Sequence, residues 1–307
     1  MRRLTTIVLV AAMAGSGSAW AQRSPVPDPE LAASQAITRK LNAYVALANQ
    51  TLRASVSLAR YESWANMKTG PTGRESIVYG LYALYDVRGE IEKARAATAM
   101  PPALPALDAE IPAYIGAYEA LAPLITKANG YYERQDYKVD RMAEGKMLHA
   151  ALVPAAKAFL DERAKVDALL RIEKDKADAA ELAFIEAREG RKVRWQVSNV
   201  MIRARQVVDR LPSEKRPIVD LAAFDGALGG FAMGVKALDD YSAANPGLFS
   251  AFEGRPRAFL GKLREFREKL GTSKGDARGP AGRDLIWIVN DYNTMISTSQ
   301  MATRFPR

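Results

Sequence analysis

The sequence predicts an all-α fold, an elongated bundle of about seven long amphipathic helices with coiled-coil-like packing. Apolar residues recur every three or four positions in nearly every segment, which is the repeat of one helix face. Spacings of four and three alternate, as they do where helices pack side by side at a shallow angle. No segment shows a convincing two-residue alternation, the pattern of a half-buried strand. Proline and glycine fall mainly between the apolar runs, where they end helices.

The first predicted helix covers residues 31–67, because its apolar positions follow the four-three spacing. The run 68–73 ends this helix, since neither Gly-Pro nor Thr-Gly continues one. A second helix is predicted near residues 75–99, and Pro101 and Pro102 end it.

The turn at residues 70–75 has two glycines ahead of the predicted second helix. Thr72 is expected to cap that helix, and Glu75, three residues later, would complete a capping box. The alternative is an anion held by backbone N–H groups at the helix start. A nucleotide-binding Walker loop is excluded, because Gly-Lys-Ser/Thr is missing.

The third predicted helix, residues 106–133, has the most regular apolar seam in the chain. A fourth run follows, but a single helix over residues 138–211 would be about 110 Å long at 1.5 Å per residue. A break or hairpin near Gly190 is therefore expected. Three more helices are predicted around residues 221–238, 252–270 and 285–296, so that residues 31–307 form a single helical-bundle domain.

The N-terminus has the features of a cleaved signal peptide, residues 1–21. Arg2 and Arg3 precede a short apolar run, and a small-x-small cleavage site ends at Ala21. Residues 22–30 contain three prolines and are expected to form a tether. The apolar run is too short to cross about 30 Å of hydrocarbon, and no later segment shows a long uncharged apolar run. We therefore expect a periplasmic protein that does not span the membrane.

The formal net charge is +9 and cysteine is absent. The positive charge favours an envelope partner that is anionic, such as lipid headgroups, cell-wall polymers or an acidic protein, although it also serves solubility. Nucleic acid is not expected, because the chain is exported and has no nucleic-acid-binding motif. Without cysteine there is neither thiolate catalysis nor a thiolate-bound metal nor a lipid anchor. No cofactor is predicted.

The segment 130–149 is the most polar and aromatic part of the chain and holds its one histidine. Tyrosines with a neighbouring lysine are expected to form a rim at the end of the bundle, suited to a sugar polymer or a peptide. The candidate binding residues are Tyr131, Tyr132, Asp136, Tyr137, Lys138, Asp140 and His149.

The same segment offers a metal- or ligand-binding alternative. Asp136, Asp140 and Glu144 recur every four residues, on one helix face. His149 follows Glu144 by five residues, about 140° away from that face, and one histidine cannot supply the two Glu-x-x-His pairs of a di-iron bundle. A charge network, or a helix cap with a surface histidine, explains the acidic row as well.

Three blocks resemble a bacterial exported family of unknown function, the YiiG-like group. The first comprises residues 70–75 and 79–82, the second runs from Tyr131 to His149, and the third covers residues 40–49, Lys40-x-Asn42-x-Tyr44-Val45 with Asn49. The resemblance implies a helical periplasmic domain, often a lipoprotein, without established activity or catalytic residues. This chain departs from the lipoprotein pattern, since it has no cysteine.

The sequence therefore predicts a non-catalytic periplasmic helical-bundle protein with a binding or structural role in the cell envelope. Its partner would be another envelope component. The alternative is a bundle that binds a ligand or a metal through the acidic row and His149. Enzyme activity is not expected, because there is no Gly-x-Ser-x-Gly motif and a single histidine would have to serve as base.

Overall fold

The computed structural model describes residues 29–212, 217–249 and 252–304, and these ranges contain eight α-helices and two short 3₁₀ helices. The α-helices are α1 (Pro29–Glu62), α2 (Arg88–Thr98), α3 (Pro105–Glu133), α4 (Ala143–Glu189), α5 (Val193–Val208), α6 (Leu221–Ala244), α7 (Gly254–Thr272) and α8 (Leu285–Arg304). The 3₁₀ helices are Asp136–Lys138 and Pro280–Arg283. The predicted all-α class is confirmed, since the described ranges hold no strand beyond an isolated bridge between Ile218 and Asp276.

The described residues divide into two compact units, 29–177 and 178–304, and α4 contributes residues to both. The predicted signal peptide, residues 1–21, lies outside the described residues, as does most of the predicted tether. Residues 29 and 30 of that tether already belong to α1. Each unit has a hydrophobic core of its own.

The N-terminal unit is built on α1 and α3. Every position of the predicted α3 seam is buried: Leu107, Ile111, Tyr114, Tyr118, Leu121, Ile125, Ala128 and Tyr132. On α1 the four-three spacing predicts burial of Leu41, Val45, Ala48, Leu52, Ser55 and Ala59, and Leu41, Ala48 and Ser55 are buried. Val45, Leu52 and Ala59 are only partly buried. The buried face also includes Tyr44, Leu47, Ala54 and Leu58, which the prediction did not contain.

The predicted second helix, residues 75–99, is wrong over its first half. Residues 63–87 form turns and extended chain, and only α2 is helical. Gly73 and Gly80 have φ values of 83° and 67°, which a helix does not allow. Thr72 and Glu75 do interact, because the Glu75 carboxylate accepts hydrogen bonds from the backbone N–H and hydroxyl of Thr72, but they close a turn and no helix follows.

A buried ion pair joins α1 to α3. The Lys40 ammonium donates to Asp108 Oδ2 at 2.7 Å and to the carbonyls of Met100 and Pro102 at 2.8 and 3.0 Å. These contacts use all three of its donors. Tyr44 donates to the other Asp108 oxygen at 2.6 Å, and burial, followed by the effect of Asp108, raises the pKa of Tyr44.

The predicted break near Gly190 is confirmed. Gly190 has a φ of 74°, the left-handed conformation that ends helices, and it separates α4 from α5. The described residues contain eight α-helices where about seven were predicted, because the predicted fourth run is two helices, α4 and α5. On the far side of the break, Arg205 of α5 binds Asp178 and Asp209 inside the C-terminal unit.

The core of the C-terminal unit is aromatic. Phe224 lies 5.9 Å from Phe266, and Phe231 lies 5.7 Å from Phe259, with both ring pairs edge to face. Among the described helices, α6 is long and apolar enough to cross a membrane by length and composition alone, which the sequence prediction overlooked. Helices packed in a protein core also meet this criterion. Here α6 contributes Phe224 and Phe231 to the core, and 28% of its apolar window is buried.

Lys40→Met is expected to lower the free energy of unfolding of the N-terminal unit by about 3 kcal/mol, as when one member of a buried ion pair is removed. The loss arises because Asp108 and two backbone carbonyls stay buried without the ammonium. Urea unfolding followed by circular dichroism measures it. Arg88→Gln, which breaks an exposed pair with Asp86, is the control and should have a much smaller effect. Equal effects would contradict the role assigned to Lys40.

Candidate functional site

Two of the sequence blocks described above lie against each other in the N-terminal unit. A Cβ placed on Gly70 would come within 2.9 Å of the His149 ring, and one on Gly80 within 3.1 Å of Tyr132 Cβ. Both glycines have positive φ, so larger residues there would be strained as well as crowded. Residues 70–82 therefore cover the junction between α3 and α4.

His149 is buried beneath this cover. It is 9% exposed, and its Nδ1 lies 3.0 Å from the Tyr61 hydroxyl. The interpretation of His149 as a surface histidine is therefore wrong. Burial lowers the pKa of His149, while a hydrogen bond with the Met67 backbone acts in the opposite direction. Burial also raises the pKa of Tyr61 to about 12.

Tyr131 and Tyr132 belong to the core rather than to an open rim. They are 1% and 5% exposed, because they continue the α3 seam by one more turn. Tyr132 packs edge to face on Trp64 at 5.0 Å and lies 6.1 Å from the ring of Tyr137, which is half-buried. A ligand would have to open this packing in order to reach Tyr131 or Tyr132.

Asp140 caps α4. Its carboxylate accepts hydrogen bonds from the backbone N–H groups of Met142 and Glu144, each at 2.9 Å, and from the Tyr131 hydroxyl at 2.8 Å. These bonds, led by that from Glu144, hold the pKa of Asp140 below its usual value. The turn leading to α4 places Arg141 and Met142 at φ values of 55° and 68°, a strained conformation for residues with a Cβ. The helix-cap alternative therefore describes Asp140.

The rest of the acidic row does not converge on one point. Asp136 binds Arg134 at 2.6 Å, and Glu144 binds Lys127 at 3.0 Å. Within the described residues, no group of three or more histidine or carboxylate side chains is arranged to hold a metal ion. Lys138 is exposed. The role of the seven predicted binding residues remains a prediction.

An exposed aromatic surface lies nearby, on the extended segment 78–85. Tyr79 and Tyr85 are 50% and 57% exposed. The Arg53 guanidinium carbon lies over Tyr82 at 4.3 Å and 5.4 Å from the Tyr85 ring centre. The Arg60 carbon lies over Tyr82 at 4.2 Å and 5.9 Å from the Tyr79 ring centre. We call these five residues the tyrosine–arginine ladder, in which rings and guanidinium groups alternate.

Side chains of α1 fix the ladder in place. Arg53 Nε donates to the Ala83 carbonyl at 3.0 Å, and Arg60 Nε donates to the Tyr79 carbonyl at 2.9 Å. Between them, the Ser57 hydroxyl exchanges two hydrogen bonds of 3.0 Å with the backbone of Tyr82. The extended segment is thus held by helix side chains rather than by a neighbouring strand.

Neither arginine of the ladder is paired with an acidic group among the described residues. Their Nε atoms are used by carbonyls, and their Nη atoms make no hydrogen bond there. Arg88 and Arg95 of this unit are different, since Arg88 binds Asp86 and Arg95 binds Glu119. The ladder therefore presents two guanidinium groups that are oriented but electrostatically unsatisfied.

The sequence prediction missed this surface. The predicted second helix, residues 75–99, contained Tyr79, Tyr82 and Tyr85, because a spacing of three also fits one helix face. Arg53 and Arg60 were not singled out. The available signal was Gly80 inside the tyrosine run, together with two arginines seven residues apart on the same face of α1.

His149 is expected to titrate below its ordinary value of 6.5, because burial lowers its pKa. Its proton is then bound more tightly in the unfolded chain, so the free energy of unfolding decreases as pH falls through 6.5. As the only histidine, it gives one resolved imidazole signal in proton NMR. His149→Gln should remove both the signal and this pH dependence. A midpoint at or above 6.5 would contradict the buried position.

Comparison with known proteins agrees with the resemblance seen in the sequence. Over 180 residues, the chain is 35% identical to a curated relative, the uncharacterized protein YiiG of Escherichia coli (strain K12). The alignment covers 57% of this chain and 51% of the relative, so the chain spans about half of that protein's length. No solved structure matches the chain. A family model described as "Protein of unknown function (DUF3829)" matches residues 35–281, and the chain belongs to this family.

Proposed function

We propose that this protein is a non-catalytic binding protein of the cell envelope, exported to the periplasm, and that the tyrosine–arginine ladder recognises an anionic partner there. The observation that carries the proposal is the pair of unpaired guanidinium groups at Arg53 and Arg60. Both are already oriented by rings and carbonyls, so little side-chain freedom is lost when an anion binds.

The chemistry of the ladder supports binding rather than catalysis. Arginine stays charged at any physiological pH and does not exchange protons with a substrate. Acid–base catalysis needs a group that titrates near the working pH and reaches the reacting atom. His149 is the chain's one side chain of that type, and Gly70 and Tyr61 enclose it. Tyrosine and arginine are also the residues that dominate binding energy at protein interfaces.

Arg53→Gln with Arg60→Gln is expected to reduce binding of the mature protein to isolated cell envelopes by about tenfold or more, since each lost charge-assisted contact removes about 1.5–3 kcal/mol. Binding should also weaken with added salt. Cosedimentation at several salt concentrations measures both effects.

The matched control is Arg88→Gln with Arg95→Gln, which removes the same charge from two exposed arginines that already have acidic partners. This variant should bind nearly as well as the wild type. If both double variants lose the same affinity, binding depends on net charge alone and the ladder is not the site.

Export is expected to remove residues 1–21, because the small-x-small site ends at Ala21. Mass spectrometry of periplasmic material should therefore give a chain that begins at Gln22. Arg2→Glu with Arg3→Glu should slow export and leave precursor in the cytoplasm. A periplasmic chain that retains Met1 would contradict cleavage, and a wild-type chain confined to the cytoplasm would contradict the location.

A further inference from the structure

We infer that the partner recognised by the tyrosine–arginine ladder is an extended acidic polypeptide segment with carboxylates on alternate residues. This inference rests on the proposed function and adds the chemical class and spacing of the partner. It is carried by the placement of the two guanidinium groups over the ring of Tyr82, and by the backbone of the extended segment that holds the ring.

The ladder sets the separation of the two positive charges. Arg53 and Arg60 lie seven residues apart on α1, about 10.5 Å along its axis. Their side chains converge on Tyr82, since the guanidinium carbons lie 4.3 and 4.2 Å from its ring centre. The two carbons are therefore no farther apart than the sum of these distances. Each arginine also contacts a second ring, Arg53 that of Tyr85 and Arg60 that of Tyr79.

An extended peptide matches this separation. Successive side chains on one face of a strand are two residues apart, about 6.7 Å. Carboxylates four residues apart would lie about 13 Å from each other, which is too far for both arginines. Carboxylates three residues apart point to opposite faces. In a β-strand, the alternate spacing is therefore the one that lets two acidic side chains meet Arg53 and Arg60 at once, each through the Nη groups that the ladder leaves free.

The ring faces favour carboxylates over stacked sugars. Guanidinium groups lie over Tyr82, and each outer tyrosine has an arginine beside it. Sugar rings bind to open aromatic faces, whereas the central ring, Tyr82, is covered by the two guanidinium groups. What the ladder offers a partner is N–H donors, framed by the exposed rings of Tyr79 and Tyr85. This arrangement suits a planar carboxylate.

The backbone of the extended segment is a second reason to infer a polypeptide partner. Residues 78–85 make no backbone-to-backbone hydrogen bond with any described residue. The N–H groups of Ala83 and Tyr85, which are exposed residues, therefore have no carbonyl partner within the described chain. A peptide running beside this segment supplies carbonyl acceptors along its length. An acidic segment would thus contact the ladder by its side chains and its main chain.

The inference is tested with fluorescent peptides and the mature chain, by anisotropy. One peptide carries four glutamates at alternate positions, a second has the same composition with glutamates at every third position, and a third replaces glutamate by glutamine. The alternate peptide is expected to bind about tenfold or more tightly than the second, as one charge-assisted contact would give. Arg53→Gln with Arg60→Gln should abolish the difference, whereas Arg88→Gln with Arg95→Gln should keep it.

The double variant Arg53→Lys with Arg60→Lys tests whether a loss of binding reflects a loss of structure, because it keeps both charges and removes only the guanidinium forks. With the helical circular dichroism spectrum retained, it should lower the preference for the alternate peptide. Equal binding of the first two peptides would overturn the inference.

Two further probes separate this inference from the proposed function. If polygalacturonate or phosphatidylglycerol vesicles bind through Arg53 and Arg60 while the alternate peptide does not, the partner is a polysaccharide or a lipid surface. The inference is then wrong and the anion-binding function stands. If no anionic probe loses affinity in the double glutamine variant, both are wrong.

Discussion

The organisation of the N-terminal unit depends on how the backbone of residues 78–85 is satisfied. Backbone carbonyl and N–H groups near a protein core must find partners. Here they find them in side chains of α1 and of the turn that follows it: Arg53, Ser57, Arg60 and Trp64 bind four carbonyls and one N–H group of this segment. If the same residues formed a helix, their backbone groups would bond to one another, and the α1 side chains would lose these hydrogen-bond partners. The extended conformation is therefore a consequence of contacts far apart in the sequence.

Two surfaces result from this one constraint. On its inner side, the segment and the turn before it seal the tyrosine cluster, with Gly70 against His149 and Gly80 against Tyr132. On its outer side, Tyr79, Tyr82 and Tyr85 alternate with the two arginines that hold the backbone. The same guanidinium groups thus fix the chain through Nε and leave their remaining N–H groups for a partner.

The buried side of the junction is rigid for separate reasons. Asp140 caps α4 and binds Tyr131, while Lys40 and Asp108 join α1 to α3. A ladder built on elements held in this way keeps its geometry when free, and a preorganised site loses less entropy on binding. The positive charges of Arg53 and Arg60 are therefore held at a defined separation.

Much of the fold follows from local patterns. The four-three spacing gave the α3 seam at every position, and Gly190 marked the separation of α4 from α5. Among the candidate binding residues, the burial of Tyr131 and Tyr132 also follows from the local pattern, because they lie at the end of that seam. The burial of His149 was not, since it depends on Gly70, which lies almost eighty residues earlier and approaches as close as a glycine permits.

The sequence by itself determined that the chain is helical, where most of its helices begin and end, and which family it belongs to. The helices follow from the apolar periodicity and from the positions of proline and glycine, and the family resemblance follows from short blocks of neighbouring residues. Only the tertiary structure decided that residues 78–85 are extended, that the histidine is enclosed, and that Arg53 and Arg60 face one ring without an acidic partner. Each of these depends on which distant group satisfies a backbone atom or a charge, and no local pattern encodes that choice.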